Sequence, residues 1–165
     1  ACNYPVSQLR EARNAYAQTG SIEAAHGVLQ EMFRGFLRNV LELDEPVVED
    51  VIGRGWGLAG VVQGSTVIAT KIPKSGNLAA YLEEADRGRK RQLYCHCPRV
   101  RDVLSMPDLA WPRDVAEIYC LCGAGFYKGI WEEIVQAPVR VELLESVLRG
   151  DDVCKVAVHL PGKTP

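Results

Sequence analysis

Two Cys-x-Cys tripeptides and one later cysteine are the residues of this sequence whose types and spacing could do chemistry. The tripeptides are Cys95-His96-Cys97 and Cys120-Leu121-Cys122, and Cys154 follows nearer the C-terminus. Cysteines gathered in this way bind a soft metal such as zinc, cycle between thiol and disulfide, or supply a nucleophile. Neither tripeptide has the Cys-x-x-Cys spacing of common zinc knuckles and thioredoxin-like sites, so all three chemistries stay open.

Strand geometry would bring the thiols of the two tripeptides together. We predict short strands over residues 93–97 and 116–122, and residues two apart in a strand point to the same face. Each cysteine pair would then share a face, with His96 pointing away. Cys154 is either a buried structural cysteine or a further ligand, and Glu142 or Glu145 could add an oxygen ligand to zinc. Free cysteines that only fill a core are the plainest alternative.

A cluster of basic residues surrounds the first tripeptide. Cations near a thiol favour the thiolate form, which helps metal binding or nucleophilic attack. Arginine also pairs with anionic ligands, whereas a solvated basic loop is the alternative for the residues before position 92. The cluster comprises Arg87, Arg89, Lys90, Arg91, Arg99 and Arg101.

Composition and charge narrow the classes of partner. The chain has 165 residues, of which 47% are hydrophobic, and its 19 basic and 21 acidic residues give a net charge of −2. This balance offers no general attraction to nucleic acid or to an anionic membrane, and no apolar run is long enough to span a bilayer. Without an export signal, and with a core that needs no disulfides, we expect a reducing, cytoplasmic location.

The elements that must position the cysteines form an α+β arrangement. Apolar residues at helical spacing predict a long helix after Ser21 that extends to about residue 40, preceded by a shorter helix that Gly20 ends. Residues 58–62 and 66–72 predict a hairpin, and 78–85 and 123–136 predict helices. Residues 139–148 and 153–160 predict an antiparallel pair. We expect one α+β domain over residues 1–165, with N-terminal helices packed on a mainly antiparallel mixed sheet.

The block 119–161 resembles the 4-vinyl-reductase domain family. The matching residues are Cys122-Gly123-Ala124-Gly125-Phe126, Pro138-Val139-Arg140-Val141-Glu142, Glu145-Ser146 and Gly150-Asp151-Asp152-Val153-Cys154. The chain is also similar to the L-2-amino-thiazoline-4-carboxylic acid hydrolase group and its uncharacterised relatives, which share the style of Tyr94-Cys95-His96-Cys97-Pro98.

The resemblance implies a domain of ligand-binding type that encloses a small-molecule pocket, and a structural zinc near it. It implies zinc ligation by Cys122 and Cys154, while the third family cysteine falls near Ser146, which is a poor zinc ligand. Cys120, Cys95, Cys97 or Glu145 would have to complete the site. The apolar N-terminal helix could pack in a homodimer, as in relatives, whereas packing in the core of its own chain would explain its apolar stripe equally well.

Three functions follow from these expectations. The first is a small-molecule-binding domain with a cysteine-rich, zinc-binding site. The second is a hydrolase of small molecules that uses a cysteine or zinc, with His96 or His159 as the base in reach. The third is a thiol redox or cluster protein. The side chains we expect to contact a ligand are Arg99, Tyr119, Phe126, Tyr127 and Trp131, which could also be core residues.

Overall fold

Three helices form the N-terminal part of the chain, and the first two are the helices that the sequence predicts. The computed structural model describes residues 4–101, 104 and 113–161, and side chains at positions 75, 98, 99, 113, 114, 116 and 117 are outside this description. Helix α1 spans Arg10–Thr19, α2 spans Ile22–Asn39 and α3 spans Glu45–Gly53. Gly20 ends α1 with a left-handed φ of 63°, and the Ser21 hydroxyl caps α2 by accepting the Ala24 N–H at 3.2 Å.

The long helix α2 buries one face in the core of the protein. Ala25, Leu29, Phe33 and Leu37 recur at every fourth position and are all buried, which is the spacing of a single helical face. Helix α2 packs against α1 and α3. Its apolar face is therefore covered within the chain, and the expected homodimer stays a prediction.

A four-stranded sheet supports the helices, and the predicted α+β fold class is confirmed. Strands β1 (Val61–Gln63) and β2 (Thr66–Thr70) form the expected hairpin, and β3 (Arg140–Glu145) and β4 (Lys155–His159) form the expected C-terminal pair. The strand order is β1-β2-β4-β3, and every neighbouring pair is antiparallel. One isolated parallel bridge joins Trp56 to Thr70.

Between β2 and the C-terminal helix, the described residues form three short α-helices, and the strand predicted over residues 93–97 is wrong. Helix α4 spans Leu78–Glu83, α5 spans Arg87–Tyr94 and α6 spans Pro98–Arg101. Asp86 caps α5 by accepting the Arg89 N–H at 2.7 Å, and this cap favours the helix. Residues 95–97 are a link between α5 and α6, outside the four strands of the sheet.

The strand predicted over residues 116–122 is also wrong, because these residues belong to a longer helix. Helix α7 spans Arg113–Val135 and contacts α1, β3 and β4. Ala124, Tyr127, Trp131 and Ile134 are buried at helical spacing, and half-buried Cys120 extends this face by one turn. Packing of this face outweighs the low helix propensity of the glycines in the segment.

Among the described residues, no helix has both the length and the apolar character needed to cross a membrane.

Helix α7 also determines where the two cysteines of the second tripeptide lie. In α7, residues two apart are separated by about 200° around the helix axis. Cys120 therefore lies on the half-buried side, whereas Cys122 is exposed, and the expected shared face of this pair does not exist.

Candidate functional site

All five cysteines of the described residues line one small pocket, which we call the thiol pocket. Its volume is about 70 Å³, and its wall comes from the α5–α6 link, the N-terminal half of α7, strand β3 and the start of β4. Cys95, Cys97, Cys120 and Cys154 are free thiols. The structure thus brings Cys95, Cys97, Cys120, Cys122 and Cys154 together, although the elements that do so differ from the predicted strands.

Cys120 and Cys154 both line the thiol pocket, and each thiol changes the pKa of the other. The hydrogen bond from the Cys154 thiol, followed by that from Ser146, lowers the pKa of Cys120 to about 6. The same contact and burial raise the pKa of Cys154 well above its usual value. These opposite shifts favour the thiolate form at Cys120 over the thiolate form at Cys154.

Ser146 holds the position where the family resemblance implies a third cysteine. Its side chain is fully buried, and its hydroxyl donates to Cys120 Sγ at 2.8 Å. The same oxygen accepts the Leu148 N–H at 3.2 Å. Ser146 is therefore a hydrogen-bond partner of the Cys120 sulfur.

The first tripeptide contributes two half-buried thiols and one imidazole. The Cys95 thiol faces the Cys97 carbonyl at 4.0 Å, and burial raises the pKa of Cys95. His96 is exposed as a residue, yet it lines the thiol pocket and its Nε2 lies 2.9 Å from the Ile72 carbonyl. Desolvation of the ring, with a contribution from Lys71, lowers the pKa of His96, so the imidazole is neutral near pH 7.

The described side chains do not form a ready-made metal site. No group of three or more histidine, cysteine or acidic side chains among residues 4–101, 104 and 113–161 is placed to hold a metal ion. Glu145 pairs with Lys155 at 2.5 Å and Glu142 approaches His159 at 3.4 Å, and neither carboxylate lines the thiol pocket. Zinc binding therefore stays a prediction, and it requires side chains of the thiol pocket to rearrange.

Tyr94 and Lys71 fix the backbone beside Cys154. The buried Tyr94 hydroxyl accepts the Cys154 N–H at 2.9 Å and donates to the Lys71 carbonyl. The Lys71 N–H donates to the Cys154 carbonyl at 2.9 Å. These bonds join the end of α5, the residue after β2 and the residue before β4. They hold Cys154 in position against α7.

A second and much larger cavity lies next to the thiol pocket, and we call it the large cavity. Its volume is about 930 Å³, and most of its buried wall is apolar or aromatic. Exposed polar side chains of the first turn and α1 also line it, so the cavity opens to solvent beside the start of α1. The lining residues used below are Met32, Phe33, Gly57, Leu58, Phe126 and Tyr127.

Three residues line both cavities: Lys71, His96 and Tyr127. Tyr127 is buried and donates its hydroxyl hydrogen to the Gly57 carbonyl at 3.0 Å. Lys71 is half-buried, and no carboxylate of the described residues forms an ion pair with it. The large cavity and the thiol pocket therefore share a wall that carries a cation and an imidazole.

The residues expected to contact a ligand lie in different parts of the structure. Phe126 and Tyr127 line the large cavity, and Tyr119 lines the thiol pocket. Trp131 lines neither and is fully buried in the core, so its prediction as a ligand contact is not supported by its position. The side chain of Arg99 lies outside the described residues. Lys71 was missed because a single lysine after a strand has no distinguishing local signal.

The comparisons with known proteins give one match. Neither curated proteins nor solved structures show significant similarity to this chain. A family model, described as a family of unknown function (DUF6144), matches residues 77–164, which is more than half of the chain. The matched range contains α5, the thiol pocket cysteines and the block 119–161, for which the resemblance to 4-vinyl-reductase domains stays a prediction. The chain belongs to the DUF6144 family.

Proposed function

We propose that this protein binds a small, largely apolar organic molecule in the large cavity, with the polar end of the ligand directed at the thiol pocket. The observation that carries this proposal is the wall of Lys71, His96 and Tyr127 that the two cavities share. A volume of about 930 Å³ is that of a site for a drug-sized molecule, and an apolar lining with a few convergent polar groups is typical of such sites.

Lys71 favours a ligand that carries a negative charge. Its ammonium group has no carboxylate partner among the described side chains, and it lies where the large cavity meets the thiol pocket. A ligand anion placed there would gain a charge-assisted hydrogen bond. The favoured ligand is therefore an apolar molecule that carries one anionic group, such as a carboxylate.

Two fluorescent probes test both parts of the proposal. N-phenyl-1-naphthylamine is neutral, and 1-anilinonaphthalene-8-sulfonate has the same ring system with a sulfonate. We expect the wild-type protein to bind both with one saturable site. Lys71→Gln should lower the affinity for the sulfonate probe about tenfold, because a hydrogen bond to a charged group contributes about 1.5 kcal/mol. It should leave the affinity for the neutral probe unchanged.

A matched pair of tryptophan variants locates the site. Met32→Trp adds a bulky ring to the wall of the large cavity, whereas Asn39→Trp adds the same ring to an exposed position of the same helix. We expect the first variant to lose binding of the neutral probe and the second to retain it. Equal binding by both variants, with unchanged circular dichroism, would contradict the proposal.

A thiol-dependent hydrolase is the second candidate function. It is favoured by the hydrogen bond of 2.8 Å from Ser146 to Cys120 Sγ and by the presence of His96 in the same pocket. A nucleophilic cysteine needs such a polarised environment and a base within reach. Turnover of small ester or thioester substrates that is lost in Cys120→Ser and retained in Cys97→Ser would support this function. Equal turnover by both variants would count against it.

A further inference from the structure

We infer that Cys120 and Cys154 form a reversible disulfide when a small hydroperoxide enters the thiol pocket. The site differs from both Cys-x-Cys pairs, and it is assembled only by the contact between α7 and the start of β4. The inference is independent of the ligand in the large cavity, since it concerns a chemical modification of the thiol pocket itself.

The interaction between the two thiols within one small pocket selects this pair from the five. Cys120 and Cys154 line the same pocket of about 70 Å³, and each thiol shifts the pKa of the other. Their sulfurs therefore start close together, and the bond requires them to approach to about 2.05 Å. Cys122 lies about 200° around the helix from Cys120, so a disulfide within that tripeptide would require α7 to unwind.

The backbone of Cys154 is held while its side chain reacts. The Tyr94 hydroxyl and the Lys71 N–H bond to the backbone of Cys154, each at 2.9 Å. Ser146 donates to Cys120 Sγ at 2.8 Å, and this hydroxyl can also donate to an oxygen atom added to the sulfur. The groups that a two-step oxidation needs are therefore in place around one sulfur.

The reaction balances with hydrogen peroxide as the oxidant. The Cys120 sulfur attacks one peroxide oxygen, the O–O bond breaks, and hydroxide leaves as the sulfenic acid forms. The Cys154 sulfur then attacks the Cys120 sulfur, the S–O bond breaks, and the second hydroxide leaves. The two thiol protons neutralise the two hydroxides, so two thiols and one peroxide yield one disulfide and two waters.

The size of the thiol pocket selects the oxidant. A volume of about 70 Å³ holds a few water-sized molecules, since one water occupies roughly 30 Å³ of liquid. Hydrogen peroxide is only slightly larger than water, whereas oxidised glutathione is a hexapeptide-sized molecule. We therefore expect peroxide to oxidise the pair at a concentration at which oxidised glutathione does not.

Peptide mapping of the full chain tests the inference. The reduced protein is treated with one equivalent of hydrogen peroxide, alkylated, and digested with trypsin without reduction. Trypsin cleaves after Arg113, Lys128, Arg149 and Lys155, so Cys120 lies in peptide 114–128 and Cys154 in peptide 150–155. We expect these two peptides to appear joined, lighter by two hydrogen atoms than their sum, and to separate after reduction.

Single variants assign the bond and keep the test valid. Because peptide 114–128 also contains Cys122, the joined peptides should persist in Cys122→Ser and be lost in Cys120→Ser. Cys154→Ser should accumulate a sulfenic acid at Cys120 that dimedone traps, which reports the first step even if the disulfide cannot form. Circular dichroism confirms that each variant is folded.

Several results would overturn the inference. One is an internal disulfide in peptide 92–99, which contains Cys95 and Cys97. Others are complete alkylation of all thiols after peroxide, joined peptides that persist in Cys120→Ser, and equal rates of oxidation by peroxide and oxidised glutathione.

Discussion

The Ser146 hydroxyl donates a hydrogen bond of 2.8 Å to Cys120 Sγ and thereby connects the end of β3 to α7. The same oxygen accepts the Leu148 N–H at 3.2 Å, which caps the short 3-10 turn Val147–Arg149. The buried Ser146 side chain therefore has two structural roles. Ser146 holds the turn before β4 and also hydrogen-bonds the sulfur at the centre of the thiol pocket.

Ser146→Ala should destabilise the protein by about 1–3 kcal/mol. The substitution removes the cap of the turn and leaves the Leu148 N–H buried without its partner. Urea denaturation measures the loss in the free energy of unfolding. Ser65→Ala, at an exposed position of the β1–β2 hairpin, is the control and should change stability by less than about 0.5 kcal/mol. Equal effects of the two substitutions would show that the Ser146 hydroxyl contributes nothing.

Ser146→Cys should increase zinc affinity. It places a third thiol next to Cys120 and Cys154, where the family resemblance implies a cysteine, and thiolates are strong zinc ligands. Elemental analysis after growth with zinc should find one zinc per chain in the variant and less in the wild type. One tightly bound zinc in both proteins would instead support the prediction that Cys95 or Cys97 completes the native site.

Alkylation of Cys120 should depend on pH with a midpoint at about 6, because the hydrogen bond from Cys154 lowers the pKa of Cys120 to that value. The thiolate is the reactive form, so the rate with iodoacetamide should be maximal above pH 7 and fall as the pH drops through 6. Mass spectrometry of fragmented peptides follows Cys120 separately from Cys122. Cys154→Ala should move the midpoint upward, whereas Cys154→Ser retains a donor and should move it less. An unchanged midpoint in Cys154→Ala would contradict this assignment.

Gly57→Ala should be far more destabilising than Gly64→Ala. Both glycines have left-handed φ values, 91° and 61°, so both substitutions cost about 1 kcal/mol or more in backbone strain. A Cβ at Gly57 would overlap the Phe33 ring in the wall of the large cavity, whereas a Cβ at Gly64 meets no atom within 4 Å. Overpacking should add about 1–3 kcal/mol at Gly57. Urea denaturation compares the two variants, and equal losses would argue against close packing around the large cavity.

The elements that the sequence predicts correctly are those with a local signal. The apolar face of α2, the Gly20–Ser21 boundary and the two antiparallel pairs all follow from periodicity and turn residues. The N-terminal half of α7 was missed because Ile118, Tyr119 and Leu121 are exposed in the structure. Their apolar side chains suggest a strand, whereas the described residues on the inward side of the helix there, Cys120 and Ala124, are small.

The candidate site depends on contacts between distant parts of the chain. The convergence of the cysteines could be anticipated from their spacing, but the pairing of Cys120 with Cys154 depends on how α7 packs on β4. In the sequence, Ser146 was notable only because it lies where the family resemblance implies a third cysteine ligand. Its hydrogen bond to Cys120 requires the turn after β3 to be in place. Lys71 joins the site through its backbone N–H and Tyr94 through its hydroxyl, and neither contact leaves a pattern in the sequence.

Protection of Cys120 by a ligand in the large cavity tests the central claim most directly. The measurement is the rate at which iodoacetamide alkylates Cys120, with and without saturating N-phenyl-1-naphthylamine. Because Lys71, His96 and Tyr127 line both cavities, we predict that the bound probe slows alkylation at least about tenfold in the wild type and has no effect in Met32→Trp. An unchanged rate in the wild type at saturating probe would contradict the claim that the ligand site adjoins the thiol pocket.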